Sequence, residues 1–256
     1  MYLRTTVCLA LGVLAALAQQ PAAPPANKAQ IEQIVKEYIL QHPEVLLESV
    51  RLYQDREHAA QQQKAKSAVA SRQPELLNDP ASPATRPAAA KPGDEITIVE
   101  FFDYRCGFCR RVNPTLMKLL AGDPNLRLVF KEFPILGPES VIAAKAGLAA
   151  EKQGKYLTYH QAMMTTNATV NAETIEQVAK QAGLDWTRMK TDMESPEIAK
   201  TIEKNTALAT ALDVSATPTF VIGSEMVSAA LDTEGFRKLI AKAQAERKNL
   251  VPANNQ

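Results

Sequence analysis

Cysteine and histidine are both scarce in this chain, with three of each among 256 residues. The histidines, His42, His58 and His160, have no finger-like spacing, so a structural zinc site would lack two of its four ligands. Charge of one sign is missing too. Twenty-nine basic residues against 28 acidic ones leave a formal net charge of +1, which gives no electrostatic footprint for nucleic acid or a membrane surface. The apolar run at residues 7–17 is too short for a comfortable transmembrane helix. With Arg4 before it and Ala16-Leu17-Ala18 at its end, it reads as a secretory signal peptide cut after Ala18, with an uncleaved anchor as the alternative. Cys8 lies inside that run, so the expected mature chain keeps Cys106 and Cys109 in one C-x-x-C. An exported protein with that pair carries no odd thiol to react wrongly in an oxidising compartment. Export predicts the periplasm, where disulfide exchange has partners.

What the chain does have is the stretch 96–112, ITIVEFFDYRCGFCRRV. Its β-branched and aromatic run predicts a buried strand, and Val112, Leu116, Leu119 and Leu120 then recur at helical spacing. A strand that delivers C-x-x-C to a helix N-terminus suits redox chemistry. Unpaired N–H groups and the positive helix end stabilise a thiolate on Cys106, and Cys109, one turn on, can attack a mixed disulfide formed there. A zinc site, a structural disulfide and two buried free thiols are the competing readings.

Residues 19–27 form a Pro/Ala-rich tether. Residues 28–73 predict helices interrupted at His42-Pro43, with a thin apolar stripe of Ile31, Ile34, Val35 and Tyr38, then Leu46, Val50 and Tyr53. Such a stripe on a polar helix cannot bury itself alone. It predicts self-association, with a solvated spacer as the alternative. Pro74 precedes 78–94, which holds Pro80, Pro83, Pro87 and Pro92, so 74–95 is expected to be a semi-extended linker. Residues 96–248 then run strand–helix–strand (126–133), a helical insert at about 138–195, and helix–strand–strand–helix. Without the insert, that order is a thioredoxin-like α/β fold, preceded here by an N-terminal helical oligomerisation segment.

The segments VEFFDYRCGFC, VFKEFPILGPES, ATPTFVIG and YILQHPEVLLES together resemble the DsbA-like family of exported thiol–disulfide oxidoreductases. They are most similar to its branch of Com1-type proteins and suppressor-of-copper-sensitivity protein C. The resemblance spans 31–240, with 86–91 as a lineage-specific insertion. It implies a redox-active Cys106–Cys109 disulfide with no other cofactor and no metal. Cys106 matches the nucleophile, Cys109 the resolving thiol and Pro218 the family's cis-proline, which helps position an extended substrate. Glu100 matches a buried acid that assists proton transfer to and from the buried cysteine. Lys131 is its expected partner, since a charge amid apolar strand neighbours is costly unless paired; the alternative has both facing solvent.

Between the cysteines, Gly107-Phe108 lacks the histidine of the family's strong oxidants, and Arg105 and Arg110 are candidates to help acidify Cys106. Together with Thr217 before Pro218, that pair looks more like a disulfide isomerase or reductase. A disulfide oxidase, or a holdase or copper-binding thiol protein, is the alternative. The implied partners are exported cysteine-containing proteins, a membrane redox partner and further copies of the chain, a trimer before a dimer. Association with the outer membrane is a further implication.

Overall fold

The computed structural model describes residues 27–87 and 95–250. The expected signal peptide and residues 88–94 lie outside the described residues. The chain divides into two units, Met1–Arg56 and Glu57–Gln256.

In the first unit, α1 (Lys28–Gln41) starts where the Asn27 side chain accepts the Ala29 N–H at 3.2 Å, filling one of the donors a helix start leaves open. It ends at His42, because Pro43 disfavours helix in the residue before it and opens α2 (Pro43–Ser71). No residue of α1 is buried, and Ile31, Ile34, Val35, Tyr38, Leu46, Val50 and Tyr53 are all exposed.

Among the described residues the second unit has five strands: β1 (Ala84–Thr85), β2 (Ile96–Phe102), β3 (Leu126–Glu132), β4 (Thr219–Ile222) and β5 (Glu225–Val227). Their order is β1-β3-β2-β4-β5. Among these strands β2 and β3 pair in parallel, joined by the crossover helix α4 (Gly107–Gly122), and the other pairs are antiparallel. The central strand β2 is nearly all apolar because both its faces are covered. Ile98, Phe102, Leu128, Phe130, Phe220 and Ile222 share one core with α4, with α10 (Thr233–Leu250), and with the insert helices α5 (Pro138–Glu151), α6 (Tyr156–Thr165), α7 (Ala172–Gln181) and α8 (Trp186–Met193). On the other face, Val99, Phe101, Val129, Phe133 and Val221 pack with Leu208 and Ala209 of α9 (Pro196–Ala211) and with Val69 and Leu76.

The described part of the expected linker is built into this domain. Helix α3 (Gln73–Leu77) buries Leu76, and β1 pairs antiparallel with β3 at Ala84↔Val129. The Phe130 N–H also donates to the Pro83 carbonyl at 2.9 Å.

Candidate active site

Cys106 is the N-cap of α4, with an extended backbone (φ −74°, ψ 111°) that turns its sulfur toward the open end of the helix. Its Sγ accepts the Cys109 N–H at 3.4 Å and, as a thiol, donates to the Thr217 carbonyl at 3.2 Å. The Thr217–Pro218 peptide bond is cis. Both cysteines are buried free thiols, but their environments push them apart. The Cys106 thiol is lowered to about 5, first by the hydrogen bond from the Cys109 side chain, then by Thr217 and the N–H groups of Cys109 and Phe108. Cys109 is pushed well above the ordinary thiol range by that same bond to Cys106, by burial and by the nearby Glu100 charge. One sulfur is therefore a thiolate at neutral pH and the other a thiol, the division that a nucleophile and a resolving cysteine need.

Glu100 lies on the cysteine side of the sheet, 3% exposed, and its Oε1 has no hydrogen-bond partner among the described residues. Burial first, and then the Cys106 thiolate, raise its carboxyl to about 8, so it is protonated at neutral pH.

Lys131 does not pair with it. In the parallel β2–β3 ladder Glu100 stands beside Phe130 and Lys131 beside Phe101, so alternation sends the two side chains to opposite faces. Lys131 instead donates to the Glu75 carbonyl at 2.6 Å and the Ser82 hydroxyl at 2.7 Å, and its ion pair is with Asp79 at 3.7 Å. It holds the 75–82 segment to the back of the sheet. Burial lowers its ammonium to about 8, against the opposing pull of Asp79.

The two arginines are also engaged elsewhere. Arg105 Nη1 donates to the Leu136 carbonyl at 2.6 Å and to Glu139 at 2.9 Å, and Arg110 Nε donates to the Met164 carbonyl at 3.4 Å. The largest contributions to the acidity of Cys106 come from N–H, O–H and S–H donors. Phe108 is exposed under the Arg111 guanidinium, 5.0 Å from its ring centroid, and a Cβ on Gly107 would meet nothing within 4 Å.

Two acids beside the site escaped the sequence reading. Asp103 is buried and accepts three backbone N–H groups, from Arg105 at 2.8 Å, Ile135 at 2.9 Å and Leu136 at 3.0 Å. Its signal was faint, a lone acid just after the strand. Glu132, also buried, accepts from Tyr156 at 2.9 Å and Tyr104 at 3.2 Å, and burial raises its carboxyl well above the usual range. Its parity with Leu126, Leu128 and Phe130 already pointed to the core. Nearby His160 is wholly buried, and burial lowers its imidazole to about 3, so it is neutral. Among the described residues no three His, Cys, Asp or Glu side chains gather as a metal site.

The profile of the DSBA-like thioredoxin domain matches residues 97–241, and that of the copper resistance protein ScsC N-terminal domain matches 27–60. Among solved structures, a thioredoxin-like oxidoreductase from Silicibacter pomeroyi DSS-3 is 37% identical with a TM-score of 0.64, covering 67% of this chain and 97% of its own. The catalytic domain of Proteus mirabilis ScsC is 27% identical with a TM-score of 0.63, covering 70% and 98%. The Na(+)/H(+) antiporter NhaA of Herminiimonas arsenicoxydans is 29% identical over 177 residues, 68% of this chain and 28% of the antiporter. The chain thus spans about a quarter of the length of the first curated relatives it matches. No helix among the described residues is long and apolar enough to cross a membrane.

Proposed function

The chain belongs to the DSBA-like thioredoxin domain family, and on that premise we propose that it is an exported, periplasmic thiol–disulfide oxidoreductase working chiefly as a disulfide isomerase and reductase. The observation that carries the oxidoreductase reading is the split between Cys106, lowered to about 5, and Cys109, held as a thiol, while the absence of histidine from Gly107-Phe108 and Thr217 before Pro218 support the isomerase direction. The Cys106 thiolate attacks a wrong substrate disulfide, forms a mixed disulfide and releases one substrate thiolate. In isomerisation that thiolate re-pairs within the substrate, and a substrate thiol then displaces Cys106, with no net electron transfer.

In reduction, Cys109 gives up its proton, attacks the Cys106 sulfur and closes the Cys106–Cys109 disulfide, so two electrons pass to the substrate. Glu100 suits the proton acceptor in this step. Once Cys106 is tied in a mixed disulfide, the thiolate charge that helped hold the Glu100 proton is gone, and the carboxyl ionises more readily beside Cys109. The dithiol pair supplies the electrons, so the reading calls for no other cofactor. The Thr217-Pro218 loop, whose carbonyl meets Cys106, is placed to face an extended substrate segment.

Self-association belongs to the same proposal. It is supported by the exposed apolar stripe of the first unit and by the match of 27–60 to the ScsC N-terminal domain, with a trimer ahead of a dimer. Exported cysteine-containing proteins are the substrates, and a membrane redox partner keeps the pair in its working state.

One observation favours disulfide oxidation as a second reading. A thiolate held near 5 stabilises the reduced pair, and a stabilised reduced form makes an oxidising couple. The redox state of the pair in cells separates the two. Alkylation trapping is expected to find Cys106 and Cys109 reduced, with recovery of active enzyme from scrambled ribonuclease; a pair trapped fully oxidised, with no such recovery, is the oxidase result.

A further inference from the structure

Among the described residues of the second unit, the only exposed large apolar side chains are Phe108, Ile135 and Leu136. Phe108 lies between the cysteines, and the other two lie on the loop after β3. That loop is tied to the nucleophile's own turn. The Asp103 carboxylate accepts the N–H groups of Ile135 and Leu136 at 2.9 and 3.0 Å, while its backbone carbonyl accepts the Cys106 N–H at 3.0 Å. From the same turn, Arg105 reaches over to the Leu136 carbonyl at 2.6 Å and to Glu139 at 2.9 Å. Gly137 leaves room for that reach. It sits at φ +117°, and a Cβ there would stand 2.9 Å from the Arg105 Nη1.

We propose that Arg105 is a positioning residue that clamps the 133–137 loop to the redox turn, so that Ile135 and Leu136 meet apolar residues flanking the cysteine of a protein substrate. The proposal rests on the oxidoreductase reading above, since a protein disulfide attacked by Cys106 brings its flanking residues against the neighbouring surface. Exposing two large apolar side chains is ordinary in itself. Holding them out on a backbone fixed by one buried carboxylate and one guanidinium lowers the ordering cost of binding, which a mobile loop would pay at each encounter.

The test uses the full chain with Arg105→Gln and, as a second variant, Gly137→Ala. Three readouts are taken: the ionisation midpoint of Cys106, exchange with oxidised glutathione, and steady-state kinetics, with reduced glutathione regenerating the dithiol, on two disulfide-bonded peptides, one with leucines and one with serines flanking the cysteine. In both variants KM for the leucine peptide should rise about tenfold with kcat inside about twofold, while the serine peptide, the glutathione rate and the Cys106 midpoint stay at wild-type values. A midpoint that climbs in Arg105→Gln, with glutathione exchange falling in step, overturns the proposal in favour of direct electrostatic help to the thiolate. So does an unchanged leucine-peptide KM in both variants. A wild-type chain inert toward glutathione overturns the underlying oxidoreductase reading, and the proposal with it.

Discussion

A carboxyl that stays protonated near neutral pH leaves a signature in stability as well as in catalysis. With Glu100 raised to about 8 in the folded chain and ordinary when unfolded, the native state binds the extra proton between those values, so stability falls as pH rises through that window. Glu100→Gln removes the effect. The variant should match the wild type below about pH 4, gain on it up to about pH 8 and then keep a constant lead on the order of a few kcal/mol. Urea unfolding across pH reads this directly, and parallel curves would mean that Glu100 is not buried as a neutral acid. Its neighbour in the chemistry gives a sharper result. Cys109→Ala leaves the Cys106 thiolate without a resolving thiol, so mixed disulfides with substrate should accumulate, as bands on non-reducing gels that vanish on reduction.

Sequence reasoning reached these residues because chemistry restricts them: two sulfurs at one-turn spacing after a strand, and an acid amid apolar neighbours. It mispaired Glu100 with Lys131 because the register of β2 against β3, which decides the faces, is a tertiary property that no local pattern records. It did not foresee the reach of Arg105 to Leu136 and Glu139, since proximity in the chain says nothing about which way a long side chain turns.

At the level of elements, the strands and helices that carry the site were visible in the hydrophobic period, from β2 and α4 through the insert to α10. Helix α3 and strand β1 were not, because a five-residue helix with Pro74 in its first turn and a two-residue strand are too short to show any period. What orders them is a single buried cation reaching the Glu75 carbonyl, the Ser82 hydroxyl and the Asp79 carboxylate. Removing the anion should therefore cost more than its partial exposure suggests. Asp79→Ala strands the Lys131 ammonium, wholly buried, beside neutral oxygens, and should cost roughly 3 kcal/mol. Lys131→Met, which removes the buried charge itself, should cost less. Thermal unfolding ranks the two, and limited proteolysis should cut the Asp79→Ala variant within 78–87 first. The reverse ranking would separate this segment from its proposed anchor.

For the whole molecule, the first unit raises the effective concentration of catalytic domains around one substrate if copies associate through Ile31, Ile34, Tyr38, Leu46 and Val50. The boundary for testing this is Glu57, where the second unit begins, since a cut beyond Leu76 would strip Val69 and Leu76 from that unit's core. A chain starting at Glu57 should be monomeric by light scattering, should still reduce insulin and should lose most of its scrambled-ribonuclease activity. A full chain that is itself monomeric would leave the first unit a spacer. All of this presupposes one ionised sulfur, which the ultraviolet absorbance of thiolate reports as reduced full-length protein is titrated. The expected result is a single thiolate with a midpoint near 5 that disappears in Cys106→Ala. A midpoint at the ordinary thiol value of about 8.5, or two sulfurs ionising together, would contradict it.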